Sequence, residues 1–198
     1  MYRFETNAYL RALCLLLTVA LSSLVQAEQG LITAARSDDE NLVAELLAAG
    51  ADPNTRQGDG STALHWAAHR NNGEAVQFLL GSGANPDASN ELGATPLWLA
   101  ASNGSAAVVE KLLTAGANPN ARLRMGETSL MSASRTGDLD TVSLLINAGA
   151  EIDAAEEERG QTALMWAVAQ SHRAVASMLL EHGADLNARS KVWYQLEN

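Results

Sequence analysis

Cysteine occurs once in these 198 residues, at Cys14, and basic residues are outnumbered 13 to 23 by acidic ones. The lone thiol lies early in an apolar stretch from Ala12 to Val25, behind Arg3 and Arg11 and ahead of Val25-Gln26-Ala27. Positive charge, apolar run and small residues in that order make an export segment, with cleavage expected after Ala27. Between Arg11 and Gln26 the run is short of the ~20 apolar residues of a spanning helix and contains Thr18, Ser22 and Ser23, so it reads as a leader and not as a retained anchor. Without residues 1–27 no cysteine is left, which excludes disulfides, thiolate metal sites and a cysteine nucleophile. Arg3, Arg11 and Glu5 leave with the leader; eleven bases and 22 acids remain, a net charge of −11 over 171 residues. Such a surface repels nucleic acid and anionic lipid as a whole, so no nucleic-acid partner and no membrane contact beyond the export signal are expected. The product is expected in the periplasm or the medium.

What fills the rest is repetition. A phrase Gly-Ala-Asp/Asn/Glu-x-Asn/Asp starts at Gly50, Gly83, Gly116, Gly149 and Gly183, a step of 33 residues with one of 34. Nineteen residues before each glycine is a leucine, at Leu31, Leu64, Leu97, Leu130 and Leu164. Twelve before each stands Asp38, Asn71, Gly104, Gly137 or Ser171, residue types that in most copies tolerate left-handed backbone. A fixed period of this length means one supersecondary unit copied and stacked, each stable only against its neighbours. Within the second unit Leu64, Ala67 and Ala68 follow i, i+3, i+4 spacing, and Val76, Leu79 and Leu80 repeat it one helix later. Thr62, Thr95, Thr128 and Thr162 suit helix N-caps, Pro96 suits the first helical position, and Gly83 and its equivalents suit the end of the second helix. The segments rich in Gly, Asn and charge that lead to the next leucine form exposed turns or hairpins.

These residues resemble the ankyrin repeat family, whose pattern is Thr-Pro-Leu-His-x-Ala-Ala, a Gly turn, Val-x-x-Leu-Leu and Gly-Ala-Asp-x-Asn. The resemblance runs from Leu31 to about Asn187 and implies an all-α solenoid of paired antiparallel helices with β-turn or hairpin connections. Five repeats are expected over residues 28–189, at about 28–56, 57–89, 90–122, 123–156 and 157–189, with 190–198 as a tail or the start of a further repeat. Only Thr95-Pro96-Leu97 keeps the proline and only His65 the histidine; Trp98, Met131 and Met165 replace it, which weakens the usual bonds between adjacent turns. The extra residue of the fourth-to-fifth connection falls within 154–159, where an exposed loop takes it at little cost.

Catalytic and metal chemistry find no support. His65 and His69 stand i, i+4, a spacing two zinc ligands can use, but no third ligand follows, and His65 coincides with the structural histidine of the resembled family. His172 and His182 read as solvated. Ser132, Ser134 and Ser143 occupy helical positions where other copies have Ala, Leu or Gln, and no aligned base and oxyanion hole accompany them. The glycines form no phosphate loop, and Glu156-Glu157-Glu158 lacks calcium-loop spacing and reads as a solvated hairpin tip. No cofactor, metal or catalytic residue is expected.

The resemblance implies a protein partner on the concave side, formed by hairpin tips and the exposed face of each first helix. On the helices the implied positions are Arg36, His69, Arg70, Asn103, Arg135 and Gln170. On the hairpins they are Arg56, Asp59, Asn90, Glu91, Arg122, Arg124, Met125, Glu158, Arg159 and Arg189. Eight of the eleven remaining bases fall there, so a local basic strip facing an acidic partner patch is expected, although an arginine after Asn-Ala is equally a template residue. Trp66, Trp98 and Trp166 read as packing residues. The fifth unit keeps Met178, Leu179 and Leu180 in the ordinary core pattern, so its outer end needs cover from further repeats, another subunit, or a fold-back of Val192, Trp193, Tyr194 and Leu196. The leading expectation is a non-catalytic binding scaffold; its rivals are the structural or capping front of a longer secreted array and an accessory enzyme with a site the pattern does not reveal.

Overall fold

The computed structural model describes residues 30–191. Residues 30–36 (α1) and Glu40–Ala48 (α2) make the first helix pair, Ala63–His69 (α3) and Gly73–Gly81 (α4) the second, and Pro96–Ser102 (α5) and Ala106–Thr114 (α6) the third. Ser129–Thr136 (α7) with Leu139–Asn147 (α8) and Ala163–Ala169 (α9) with Arg173–Glu181 (α10) complete the five. Among the described residues the only other pairing is two isolated bridges, Arg122 with Thr128 and Ala155 with Thr162. The leader and the Val192–Trp193–Tyr194 segment lie outside the described residues.

Helices of seven to nine residues are marginal in water, so caps and stacking must hold them. The Thr95, Thr128 and Thr162 hydroxyls accept from the N–H of Trp98, Met131 and Met165, and Asp39, Asn72 and Asp138 do the same for second helices. Asp38, Asn71, Gly104, Gly137 and Ser171 turn each pair with φ of 64°, 58°, 65°, 82° and 61°, as the sequence predicts. α3, α5, α7 and α9 pack in one row and α2, α4, α6, α8 and α10 in a second. Leu31, Leu64, Leu97 and Leu130 are buried in the first row, and Val76, Leu79, Val109, Leu112, Val142 and Leu145 between the rows. Ser132 and Ser134 are buried among them as small residues.

The repeated phrase has a direct physical reason. Its last residue, Asn54, Asp87, Asn120 or Asp153, accepts from the backbone N–H of the third residue of the next copy, Asn85, Asn118, Glu151 or Asp185, at 2.7–2.9 Å. One polar side chain per unit thereby fixes the register of the next. The hairpins are stitched as well: Glu91, Arg124, Glu157 and Lys191 donate their N–H to the carbonyls of Asp59, Leu92, Met125 and Arg159. The turns around residues 92 and 125 are therefore tied by backbone bonds, although Trp98, Met131 and Met165 stand where the second unit has His65.

Three hairpins close with Gln57, Asn90 and Leu123 donating to Ser61, Ala94 and Glu127, four residues on; the last closes from Glu156 to Gln161, five on. The extra residue is thus taken up at 156–160, where the Gly160 N–H reaches Glu156 instead of stopping three residues back. Glu156 corrects the reading of a solvated tip: it is only 8% exposed, and its carboxylate accepts from the backbone N–H of Glu158, Arg159 and Gln161. His172 corrects the solvated reading too. Half-buried, it lays its ring over Gly137 and brings Nε2 3.1 Å from the Arg135 carbonyl, joining two repeats.

Candidate functional site

Hairpins and first helices share one side of the stack, and two grooves lie between them. The first, about 210 Å³, gathers Asp59, Asn90, His69, Trp66 and Leu99 with the edge of His65. The second, about 310 Å³, gathers Met125, Glu158, Arg159, Glu127, Glu156 and Trp166. Asp59, His69 and Asn90 are therefore brought together as the sequence implies, and so are Met125, Glu158 and Arg159. The tip residues Leu92 and Met125 are large apolar side chains left exposed.

The arginines divide into four kinds. Arg36 lies over the Trp66 ring at 4.5 Å from its centre and donates to Gln57; Arg135 lies 5.6 Å over Trp166, with Ser132 and Glu127 at its edge. Arg56 and Arg70 are spent on the stack, donating to the carbonyls of Ser89 and Arg36 at 2.9 Å. Arg122 forms an exposed 2.6 Å ion pair with Glu151, worth well under about 1 kcal/mol in open solvent. Arg124, Arg159 and Arg189 are exposed, as are Glu91 and Gln170, while Asn103 donates to the His69 carbonyl. The strip is thus interrupted: two guanidinia sit on tryptophans at separate points along the groove, with carboxylates between them.

Trp66 and Trp166 are half-buried, neither closed in the core nor free. Both stand two residues after a ladder leucine, in the column Trp66, Leu99, Ser132, Trp166. That column is the signal that marks the two tryptophans as groove residues beyond those the resemblance implies; Glu127, Glu156 and Gln161 also line the second groove but stand outside that column. The tryptophans' arginines come from the preceding unit, about thirty residues away, so no local window pairs them.

The electrostatics follow burial. Burial raises the Glu127 carboxyl, against the opposing pull of Arg135. At Glu156 burial pushes upward too, but three backbone N–H donors outweigh it and hold the group below its usual range. Asp59 is lowered chiefly by the Ser61 N–H.

His65 is buried at the bottom of the first groove. Its Nδ1 accepts from the Thr62 N–H at 3.1 Å, so Nε2 carries the proton and donates to the Ala94 carbonyl in the next unit at 3.0 Å. With both nitrogens used inside the fold it is structural, as the sequence predicts. Burial lowers its pKa below 6.5, outweighing the Ala94 bond, so the unfolded chain protonates first as pH falls. Stability tied to His65 is full above 6.5 and lost below it. Glu127, raised by burial, works in the opposite direction. Urea midpoints should therefore drop between pH 7 and pH 5 in the wild type, and His65→Gln should flatten or reverse that slope; an unchanged slope would remove His65 as its source.

A family model described as ankyrin repeats (3 copies) matches residues 31–123 and again residues 108–190. Comparison with curated proteins gives no match. No helix among the described residues is long and apolar enough to cross a membrane.

Proposed function

The chain belongs to the ankyrin repeat family, and from that premise we propose that its concave groove binds a protein partner without catalysing a reaction on it. Repeats of this family are in general protein–protein interaction modules. The observation that supports this use of the face is the pair of guanidinia held over half-exposed tryptophans, Arg36 on Trp66 and Arg135 on Trp166. An arginine already positioned on a ring loses less freedom on binding, and its remaining N–H donors suit carboxylates in forked geometry. Tryptophan and arginine are also the residues in which interface energy concentrates. The partner in this reading presents acidic side chains around an apolar centre that meets Leu92 and Met125.

Export belongs to the same proposal. It rests on the charge, apolar run and Val25-Gln26-Ala27 of the leader. Sequencing of the protein recovered from the periplasm or medium should start at Glu28; a start at Met1 would remove cleavage from the proposal.

A photo-crosslinking residue at Leu92 or Met125 should give one common adduct with the partner, and the same residue at Lys111, on the outer row, none. With that partner in hand, Arg36→Glu, Arg135→Glu and Arg159→Glu together should weaken binding more than tenfold, about 1.4 kcal/mol. The comparison belongs at about 0.05 M salt, where surface charge is least screened. Arg122→Glu should leave affinity near that of the wild type, because its guanidinium already faces Glu151. Equal binding by the triple variant would end the carboxylate reading, and equal crosslinking from Lys111 the concave one.

A further inference from the structure

The two guanidinia over tryptophans occupy the same place in the repeat. Arg36 and Arg135 each stand five residues after a ladder leucine, and Trp66 and Trp166 each two residues after the leucine of the next unit. At these two positions the four junctions between units carry, in chain order, Arg36 and Trp66, His69 and Leu99, Ser102 and Ser132, and Arg135 and Trp166. The outer junctions are alike, and the inner two hold neither arginine nor tryptophan. Packing does not demand the pattern: the ladder position is leucine in every unit, while these two columns change from one junction to the next. Arg36 and Arg135 are exposed and their tryptophans half-buried.

In both arginines the hydrogen bond within the fold comes from Nη2, to Gln57 from Arg36 and to Ser132 from Arg135, which leaves Nε and Nη1 for a carboxylate. Glu127 stands 3.9 Å from Arg135, beyond hydrogen-bond distance, so it does not close that fork. The spacing of the two sites follows from the stack. α3, α5, α7 and α9 pack as successive neighbours. At about 8–10 Å from helix to helix, the three steps from Trp66 to Trp166 set the sites about 24–30 Å apart. The exposed tips Leu92 and Met125 belong to the units between them. A ligand that reaches both sites makes its second contact at the effective concentration set by the first, so it binds far more tightly than one that reaches either alone.

We propose that the concave face is a two-point receptor for a protein surface bearing two carboxylate groups about 24–30 Å apart, with apolar surface between them. The inference rests on the protein-binding reading and adds to it the spacing that decides which acidic partners fit. A single acidic patch would meet one exposed arginine, a contact that salt screens and that contributes little.

The probes are oligoproline rods with two aspartates at each end, whose spacers of four, eight and fourteen prolines measure about 12, 25 and 43 Å. Fluorescence anisotropy with the full chain at about 0.05 M salt should show the eight-proline rod binding at least tenfold tighter than the other two. It should exceed by the same factor an eight-proline rod with aspartates at one end only. Arg36→Gln and Arg135→Gln should each bring the eight-proline rod down to that one-ended level, whereas Arg122→Gln should leave the order of the rods unchanged. Equal affinity for the three rods, tightest binding by the shortest or the longest, binding by none, or no loss in either arginine variant would overturn the inference. The crosslink from Leu92 is scored separately. Rods of equal affinity with that crosslink intact would remove the spacing and leave partner binding standing; failure of the binding reading shows instead as no adduct from Leu92.

Discussion

Leu97→Ala and Leu130→Ala should each lower the unfolding free energy by about 2–5 kcal/mol, the range for truncating a fully buried leucine. Both side chains are shielded on every side, Leu97 by α3, α7 and α6 and Leu130 by α5, α9 and α8. The cavity cannot collapse easily along the first row, because the buried residues beside the ladder leucines there are mostly alanine and serine, which have nothing to lean into the void. A central unit also couples to two neighbours, so one truncation weakens two interfaces. Leu164→Ala, at a position with one repeat neighbour among the described residues, should cost less than either. Urea unfolding that leaves the central variants within about 0.5 kcal/mol of wild type, the range of a surface change, would mean the leucine ladder is misassigned.

Gly93→Ala should cost about 2–3 kcal/mol and Gly116→Ala about 1 kcal/mol, although the two glycines have nearly the same backbone. Gly93 has φ of 82° and Gly116 of 89°, so a side chain is strained at both. Around Gly116 an added Cβ meets no atom within 4 Å. At Gly93 it would stand 3.1 Å from the Arg122 carbonyl oxygen and 3.2 Å from both the Arg124 nitrogen and Leu123 Cα, all backbone of the next hairpin. Those atoms cannot rotate away as a side chain would. Relief must come from parting the hairpins, which lengthens the 3.1 Å bond from Arg124 to Leu92. Equal losses in the two variants would show that the hairpins are not in firm contact.

Within the repeat, nearly every local decision was legible because its cause lies inside a window of a few residues. Left-handed turns at Asp38, Asn71 and Ser171, threonine caps, and glycines after the second helices all depend on backbone sterics and on hydrogen bonds spanning two to four residues. The 33-residue period then dictated the stack, since a unit this small has no other way to bury Leu64 or Leu97.

What the tertiary structure alone decided are contacts about thirty residues apart, set by how one unit is rotated on the next. Arg36 finding Trp66, Arg122 turning to Glu151 and His172 covering Gly137 each depend on that rotation and on a rotamer. Glu156 shows the same division inside one hairpin. Its sequence neighbours, Glu157 and Glu158, argue for a solvated charge run, but the extra residue widens the turn and aims three N–H groups at one carboxylate. A sequence records which residues can cap, turn or pack; which distant atoms those side chains then meet is fixed only when the units are stacked.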